Sequence, residues 1–252
     1  FLSAVYPDEF NEVNIENISS TRVLSIAQDS TGFIWIGTDD GLNRYDGFQN
    51  KVYRSDIFDE TTVSGNRIWK IHVDKSNTTW VLTDRGACYY DATRDKFERI
   101  DTGSRPQHIQ DKNNTLYVST LNSGIYAINK ETKSFKNYLF DPLDPFSISS
   151  SKFSHQQTKP TAVDGDNIWI GTMNGLNRIN QNTGQAKRLY SNKTRSVKND
   201  TITAILFVDN VLYVGTPRGL SLYTENSGEP VPLGGFESSH ILNLFLIKET
   251  NA

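Results

Sequence analysis

The chain holds one cysteine in 252 residues, so no internal disulfide framework can form. No apolar run reaches about 18 residues, which excludes a spanning helix within the sequence given. Apolar residues nowhere hold the three-and-four spacing of an amphipathic helix over a dozen positions, and little helix is expected. A basic excess is also missing: 26 Lys and Arg stand against 29 Asp and Glu, for a net charge of −3. A nucleic-acid binder shows a basic stripe instead, so that class of partner is set aside. The first residue is Phe1 rather than Met, and an upstream segment carrying targeting information is expected to precede it.

What the chain has in quantity is aromatic residues and turn formers. Thirteen Phe, 11 Tyr and 4 Trp supply a core, and 17 Gly, together with many Asn, Asp and Ser, punctuate it every few residues. The run Trp35-Ile36-Gly37-Thr38 returns as Trp169-Ile170-Gly171-Thr172. Weaker copies stand at Trp80-Val81-Leu82-Thr83, Tyr117-Val118-Ser119-Thr120 and Tyr213-Val214-Gly215-Thr216. Each is followed by a short turn with a glycine (Gly41, Gly86, Gly124, Gly175, Gly219) and then a second apolar run. Aromatic and branched residues suit a pleated, half-buried surface, and glycine supplies the positive φ of a tight hairpin turn.

The aromatic positions are 45, 37, 52 and 44 residues apart, the period of a propeller blade. A branched segment ending in an Asp-rich turn precedes each aromatic, as in Val23–Ile26 before Asp29, and a polar segment such as Lys51–Arg54 follows each glycine strand. The fold expected is therefore all-β: a β-propeller of four-stranded antiparallel blades, with strands a to d from the channel outward. Its blades fall at about 19–54, 64–100, 104–139, 149–190 and 199–233, with a sixth beginning at 238. Residues 10–15 read as an outer strand that closes the last blade, and the whole as part of a seven-bladed ring.

The stretch from Ile26 to Gly47, IAQDSTGFIWIGTDDGLNRYDG, resembles the two-component regulator propeller repeat. The resemblance extends over all five units, strongest in the first and fourth, and the linkers Ser19–Val23 and Ser64–Ile68 match the family's spacer. Such repeats build the periplasmic sensor region of bacterial hybrid histidine kinases and some diguanylate cyclases. The resemblance implies a non-catalytic, ligand-reading ectodomain of an inner-membrane receptor that binds a small molecule, often a carbohydrate; a homodimer is expected in the full receptor, since a ligand-bound propeller is too stiff to signal alone. It implies no cofactor, and a membrane contact only through segments outside this chain.

Several single residues admit an ordinary structural role beside a functional one. Trp35, Trp80 and Trp169 hold one repeat position and read as inter-blade packing. Trp69 stands outside that position, in an inner strand, and is a possible ligand platform as well as a core residue. His72, His108, His155 and His240 fall near inner strands at different offsets, which argues against a metal site. Asp164-Gly165-Asp166-Asn167 begins like a calcium loop, but its twelfth position is Gly175 rather than Glu. Cys88 reads as a packed thiol. Five sequons, at Asn17, Asn77, Asn113, Asn192 and Asn199, read as turn residues.

The pattern that most suggests binding is cationic. Arg22, Arg67, Arg105 and Lys152 precede inner strands, and Arg85 and Arg218 sit in b–c turns. Both kinds of connection leave a propeller on one face, where these side chains would attract an anionic ligand and Arg would grip it in bidentate fashion. The alternative for the same residues is a solvated rim compensated by Asp39, Asp40 and Asp84. Rival functions are a protein-interaction scaffold and a propeller lyase or glycosidase, the latter needing carboxylates that face each other across the channel.

Overall fold

The computed structural model describes residues 13–153, 160–189, 201–224 and 230–244. Among them are twenty strands and no helix, hence none able to cross a membrane. The strands form five antiparallel four-stranded sheets in chain order. The first holds β1 (Val23–Gln28), β2 (Ile34–Thr38), β3 (Leu42–Tyr45) and β4 (Asn50–Tyr53). The second holds β5 (Ile68–Val73), β6 (Thr79–Thr83), β7 (Ala87–Asp91) and β8 (Lys96–Ile100). The third holds β9 (Pro106–Lys112), β10 (Thr115–Thr120), β11 (Ile125–Asn129) and β12 (Phe135–Tyr138). The fourth holds β13 (Thr161–Asp164), β14 (Asn167–Thr172), β15 (Gly175–Asn180) and β16 (Ala186–Leu189). The fifth holds β17 (Ala204–Val208), β18 (Val211–Thr216), β19 (Gly219–Tyr223) and β20 (Val231–Pro232). First strands touch first strands around the array, β1 on β5, β5 on β9, β9 on β13 and β13 on β17, which makes each sheet a propeller blade with its first strand innermost.

The recurring motif is a set of backbone requirements. The Thr side chain donates to the carbonyl of the turn glycine in every blade: Thr38 to Gly41 (3.0 Å), Thr83 to Gly86 (2.9 Å), Thr120 to Gly124 (3.0 Å), Thr172 to Gly175 and Thr216 to Gly219 (both 3.1 Å). At Gly124, φ is +74° and a Cβ would lie 2.1 Å from the Tyr138 carbonyl oxygen, so glycine is obligatory there. In blades 1 and 4 the Asn of the next strand pins the incoming linker. Asn43 Oδ1 accepts from Ser19 N–H at 2.9 Å, and Asn177 Oδ1 accepts from Ser149 N–H at 2.8 Å.

The motif glycine of the b strand serves the joint between blades. A Cβ on Gly37 would lie 2.6 Å from Ile68 Cγ2, on Gly171 2.3 Å from Ile202 Cγ2, and on Gly215 2.6 Å from Ile241 Cγ2. Ile68 and Ile202 enter the next blade and Ile241 follows blade 5 in the same way, so the glycine is the hole that receives each of them. The four hydrophobic clusters accordingly span successive blades rather than filling one. Trp35, Trp80, Tyr117 and Trp169 each belong to one of them and are 1 to 2% exposed. Cys88 is fully buried there, which pushes its thiol up and makes it a packing residue.

Polar ties cross the same joints. Between blades 1 and 2, Tyr53 and Tyr90 hydroxyls donate to Asp95 Oδ1 at 2.6 and 2.7 Å, Lys51 pairs with its other oxygen, and Arg44 lies 3.6 Å away. Burial opposes ionisation of Asp95, but these bonds outweigh it and hold its pKa at about 2. Two linkers are clamped by an arginine of the following outer strand: Arg99 reaches the carbonyls of Asp56, Asp59, Thr62 and Val63, and Arg188 those of Asp141, Asp144 and Ser147.

The ends differ from the sequence reading. Residues 10–12 lie outside the described residues, and 13–15 form no strand. Ser239–Leu244, expected to start a sixth inner strand, is not in a strand, because the b strand it would pair with does not occur among the described residues. It follows blade 5 instead: Ile241 N–H donates to Thr216 O at 3.1 Å and its side chain occupies the Gly215 hole. Asn17, Asn77 and Asn113 adopt φ of 58°, 62° and 53°, the left-handed turn role that explains asparagine there; Asn192 and Asn199 lie outside the described residues.

Two outcomes are expected. Gly171→Ala should cost about 1–3 kcal/mol by overpacking, and Ile202→Ala in the same chain should recover part of that loss, read as non-additivity in urea unfolding. Asp95→Asn should flatten acid sensitivity. The wild-type carboxylate contributes stability above its ordinary pKa of 3.8 and loses it as pH falls towards about 2. The difference between wild type and variant should therefore be present at pH 5 and shrink towards pH 2 in denaturant titrations.

Candidate functional site

The linkers entering each blade and the b–c turns lie side by side on one face. Asp84 N–H donates to Arg67 O (3.1 Å), Leu121 N–H to Arg105 O (2.9 Å) and Met173 N–H to Lys152 O (3.0 Å). Arg67, Arg105 and Lys152 thus occupy equivalent points of one rim, and Arg218 O accepts from Ser238 N–H on the same side of blade 5. Arg22, Arg85, Lys152 and Arg218 are exposed, and none of them forms an ion pair among the described residues. Asp40, expected to compensate the rim, is instead paired with Arg54 at 3.1 Å on its own blade. Asp84 accepts the Arg67 backbone N–H at 3.3 Å.

Arg67 and Arg105 behave differently from the others. Both guanidinium groups stack on the Trp69 indole, with Cζ 4.1 Å and 5.1 Å from the ring centroid. Among the described residues neither has a carboxylate within ion-pair distance. Arg67 Nε, Arg105 Nε and Trp69 Nε1 are all buried without a hydrogen-bond partner. Buried donors without acceptors and two like charges over one ring are both costly, and a single anion would relieve both.

The backbone explains how Trp69 comes to stand there. Ile68 pairs with Thr83 and Lys70 with Leu82, so Trp69 is the extra residue of a β-bulge, a device that re-aims a side chain. Blade 3 repeats it: Pro106 pairs with Thr120 and His108 with Ser119, leaving Gln107 bulged. Gln107 is 8% exposed and its Oε1 has no partner. Sequence reading missed Gln107, although it stands two residues after Arg105 as Trp69 stands two after Arg67. In blade 1 the same place is taken by Leu24.

Towards the channel, His72 Nε2 lies 3.0 Å from Asp111 Oδ2, and buried Lys130 Nζ lies 2.9 Å from Asp111 Oδ1. Burial opposes ionisation of Asp111, yet Lys130 and His72 bring its pKa below the ordinary value. These groups tie blade 2 to blade 3. His155 lies outside the described residues and His240 is exposed beyond the last strand. No group of three or more His, Cys, Asp or Glu suited to a metal occurs among the described residues. The Asp164–Asn167 segment is a tight hairpin between β13 and β14, with Asp164 paired to Asn167.

Residues 17–40 match the two component regulator propeller family. A stretch of 50 residues, 20% of the chain, is 44% identical to histidine kinase P4 of Formosa agariphila and covers 4% of it. Among solved structures, the chain resembles an extracellular domain assigned to a hybrid two component system of B. thetaiotaomicron. Identity is 22% and the TM-score 0.63, over 88% of this chain and 31% of that domain. It also resembles virginiamycin B lyase from Staphylococcus aureus, at 14% identity and a TM-score of 0.57, over 92% of this chain and 76% of the lyase. At such identities the two structures establish the fold alone. The chain thus carries a two-component regulator propeller repeat at residues 17–40, within a β-propeller fold shared with the extracellular domain of a two component system.

Proposed function

We propose that the chain is the ligand-sensing part of a transmembrane bacterial signalling receptor, facing the periplasm and without catalysis of its own. Its ligand is a small anion, best a saccharide bearing a carboxylate or sulfate, held where blades 2 and 3 meet. The observation that carries this reading is the pair of guanidinium groups, Arg67 and Arg105, stacked on one indole with no carboxylate partner among the described residues. Each can offer a bidentate fork to an oxyanion, Trp69 offers a ring face and an N–H, and Gln107 Oε1 can accept from a hydroxyl. Arg22, Arg85, Lys152 and Arg218 then act at a distance, raising the local concentration of anions rather than touching the ligand. The propeller repeat at residues 17–40 and the likeness to a sensor ectodomain support the signalling role.

Signalling needs an arrangement that ligand can bias. A homodimer of receptors whose two packings differ in ligand affinity supplies it, and no rearrangement inside a blade is then required. The scaffold reading draws on Phe58 and Leu143, each 91% exposed at the tips of corresponding linkers, and would be favoured by a stable protein complex formed without any small ligand.

Calorimetric titration with glucuronate, a sulfated monosaccharide and glucose tests the proposal. Binding of a charged sugar should fall about tenfold or more in Arg67→Ala and in Arg105→Ala, the scale of a charged hydrogen bond. Arg22→Ala and Arg218→Ala should change affinity less and mainly reduce its salt dependence. Affinity intact in both the Arg67 and Arg105 variants would overturn the site.

A further inference from the structure

The indole N–H of the motif tryptophan has a fixed acceptor in two blades and none in a third. Trp35 Nε1 donates to Asp29 Oδ2 and Trp80 Nε1 to Asp74 Oδ2, both at 2.8 Å. In each case the acceptor opens a five-residue a–b turn, Asp29–Phe33 or Asp74–Thr78. Blade 4 keeps the tryptophan in register, Trp169 opposite Ala162 as Trp35 is opposite Ala27. The connection from Ala162 to Trp169 is one residue shorter than that from Ala27 to Trp35, and Asp164 stays in the strand, paired with Asn167, instead of folding over the ring. Trp169 is 2% exposed and its Nε1 is left without a partner among the described residues.

The same tryptophan lines a cavity. A cleft of about 560 Å³ between blades 4 and 5 is lined by Trp169, Phe207 and Tyr223 on its apolar side and by Asp164, Asp209 and Asn210 on its polar side. Trp169 and Tyr223 meet edge to face with centroids 4.8 Å apart, which fixes both rings. The volume is that of an ordinary small-molecule pocket, and aromatic walls with a few polar groups are its usual lining. Neither Asp164 nor Asp209 has an ion-pair partner among the described residues. The cleft belongs to the a–b turns and so to the face opposite the cationic rim.

We infer that this cleft is a second binding site, for an uncharged polyhydroxy molecule of about one sugar ring. A hydroxyl oxygen supplies the acceptor that Asp29 and Asp74 supply in blades 1 and 2, and the same hydroxyl donates its proton to Asp164. Two unpaired carboxylates exclude an anion from the place, whereas a carboxylate and an indole donor together match a group that both accepts and donates. Phe207, the half-buried aromatic of the lining, covers the apolar side of the ligand, and the edges of Trp169 and Tyr223 close the floor. The site is independent of Arg67 and Arg105, in its residues and in its ligand's charge.

The test follows the four indole N–H signals of the whole chain by two-dimensional 1H–15N NMR. Glucose or xylose should displace one indole signal in a saturable way, and that signal should be missing in Trp169→Phe; glucuronate should displace it far less. Asp164→Ala, which leaves the core untouched, should weaken the sugar about tenfold. Replacing residues 164–167 by the blade 1 sequence Asp29–Phe33 should satisfy the indole internally and abolish the response. An unmoved Trp169 signal with neutral sugars, or a response unchanged in both Asp164→Ala and the turn replacement, would overturn the inference.

Discussion

A single blade is a four-stranded sheet with two faces to cover, and it has no core of its own. At the joints between blades 1 and 2 and between blades 4 and 5, and where the chain leaves blade 5, the contact that solves this is the isoleucine-in-glycine fit. Ile68 enters the space at Gly37, Ile202 that at Gly171 and Ile241 that at Gly215, each so closely that one added carbon would overlap it. The fit sets the separation and angle of successive inner strands, and the motif aromatics then fill what remains between the sheets. Threonine and the turn glycine close the b–c end in every blade, which holds the linker of the incoming unit at one height. The rim exists because of that constancy of height.

On a frame so repetitive, chemistry can only reside where copies depart from one another. Leu24, Trp69 and Gln107 stand at the same bulge in blades 1, 2 and 3, and only the last two carry unpartnered polar atoms. Trp35, Trp80 and Trp169 stand at the same core position, and only the last lacks an acceptor. In each case the backbone is conserved by the repeat and the polar accounting is broken locally. A scaffold overdetermined by its joints tolerates such local costs, which a ligand can then repay.

The fold was legible because the residues that build it answer to backbone demands that leave a mark in the sequence. A glycine at Gly41 or Gly124, a threonine at Thr38 or Thr172 and an aromatic at a period near 44 admit few other readings. The ends were not, since residues 239–244 have the composition of an inner strand whether or not a partner strand is beside them. The cationic rim was legible as a set of positions, but its grouping was not. Which arginines converge depends on a bulge, a matter of register, and Gln107 was hidden because Arg105-Pro106-Gln107 departs from the pattern of the other linkers. The idle indole of Trp169 was unreadable for a further reason: Asp164 is present in the sequence just as Asp29 is, and only the turn length decides whether it reaches the ring.

The joint between blades 2 and 3 is where these arguments meet. The motif glycine is replaced there by Leu82 and the entering isoleucine by Pro106, so the tight fit found at Gly37, Gly171 and Gly215 is absent. Polar groups also meet at this joint, with Asp111 of blade 3 holding His72 of blade 2, and Arg67 and Arg105 both stacked on Trp69. Unliganded, the arginine pair pushes the two blades apart at the rim while the Asp111 contact draws them together nearer the channel. Under the proposed function, an anion held by both guanidinium groups would reverse the sign of the first term and leave the second alone. The ligand would thus favour whichever receptor packing accommodates the rim drawn in at this one joint, the differential affinity that a sensor requires.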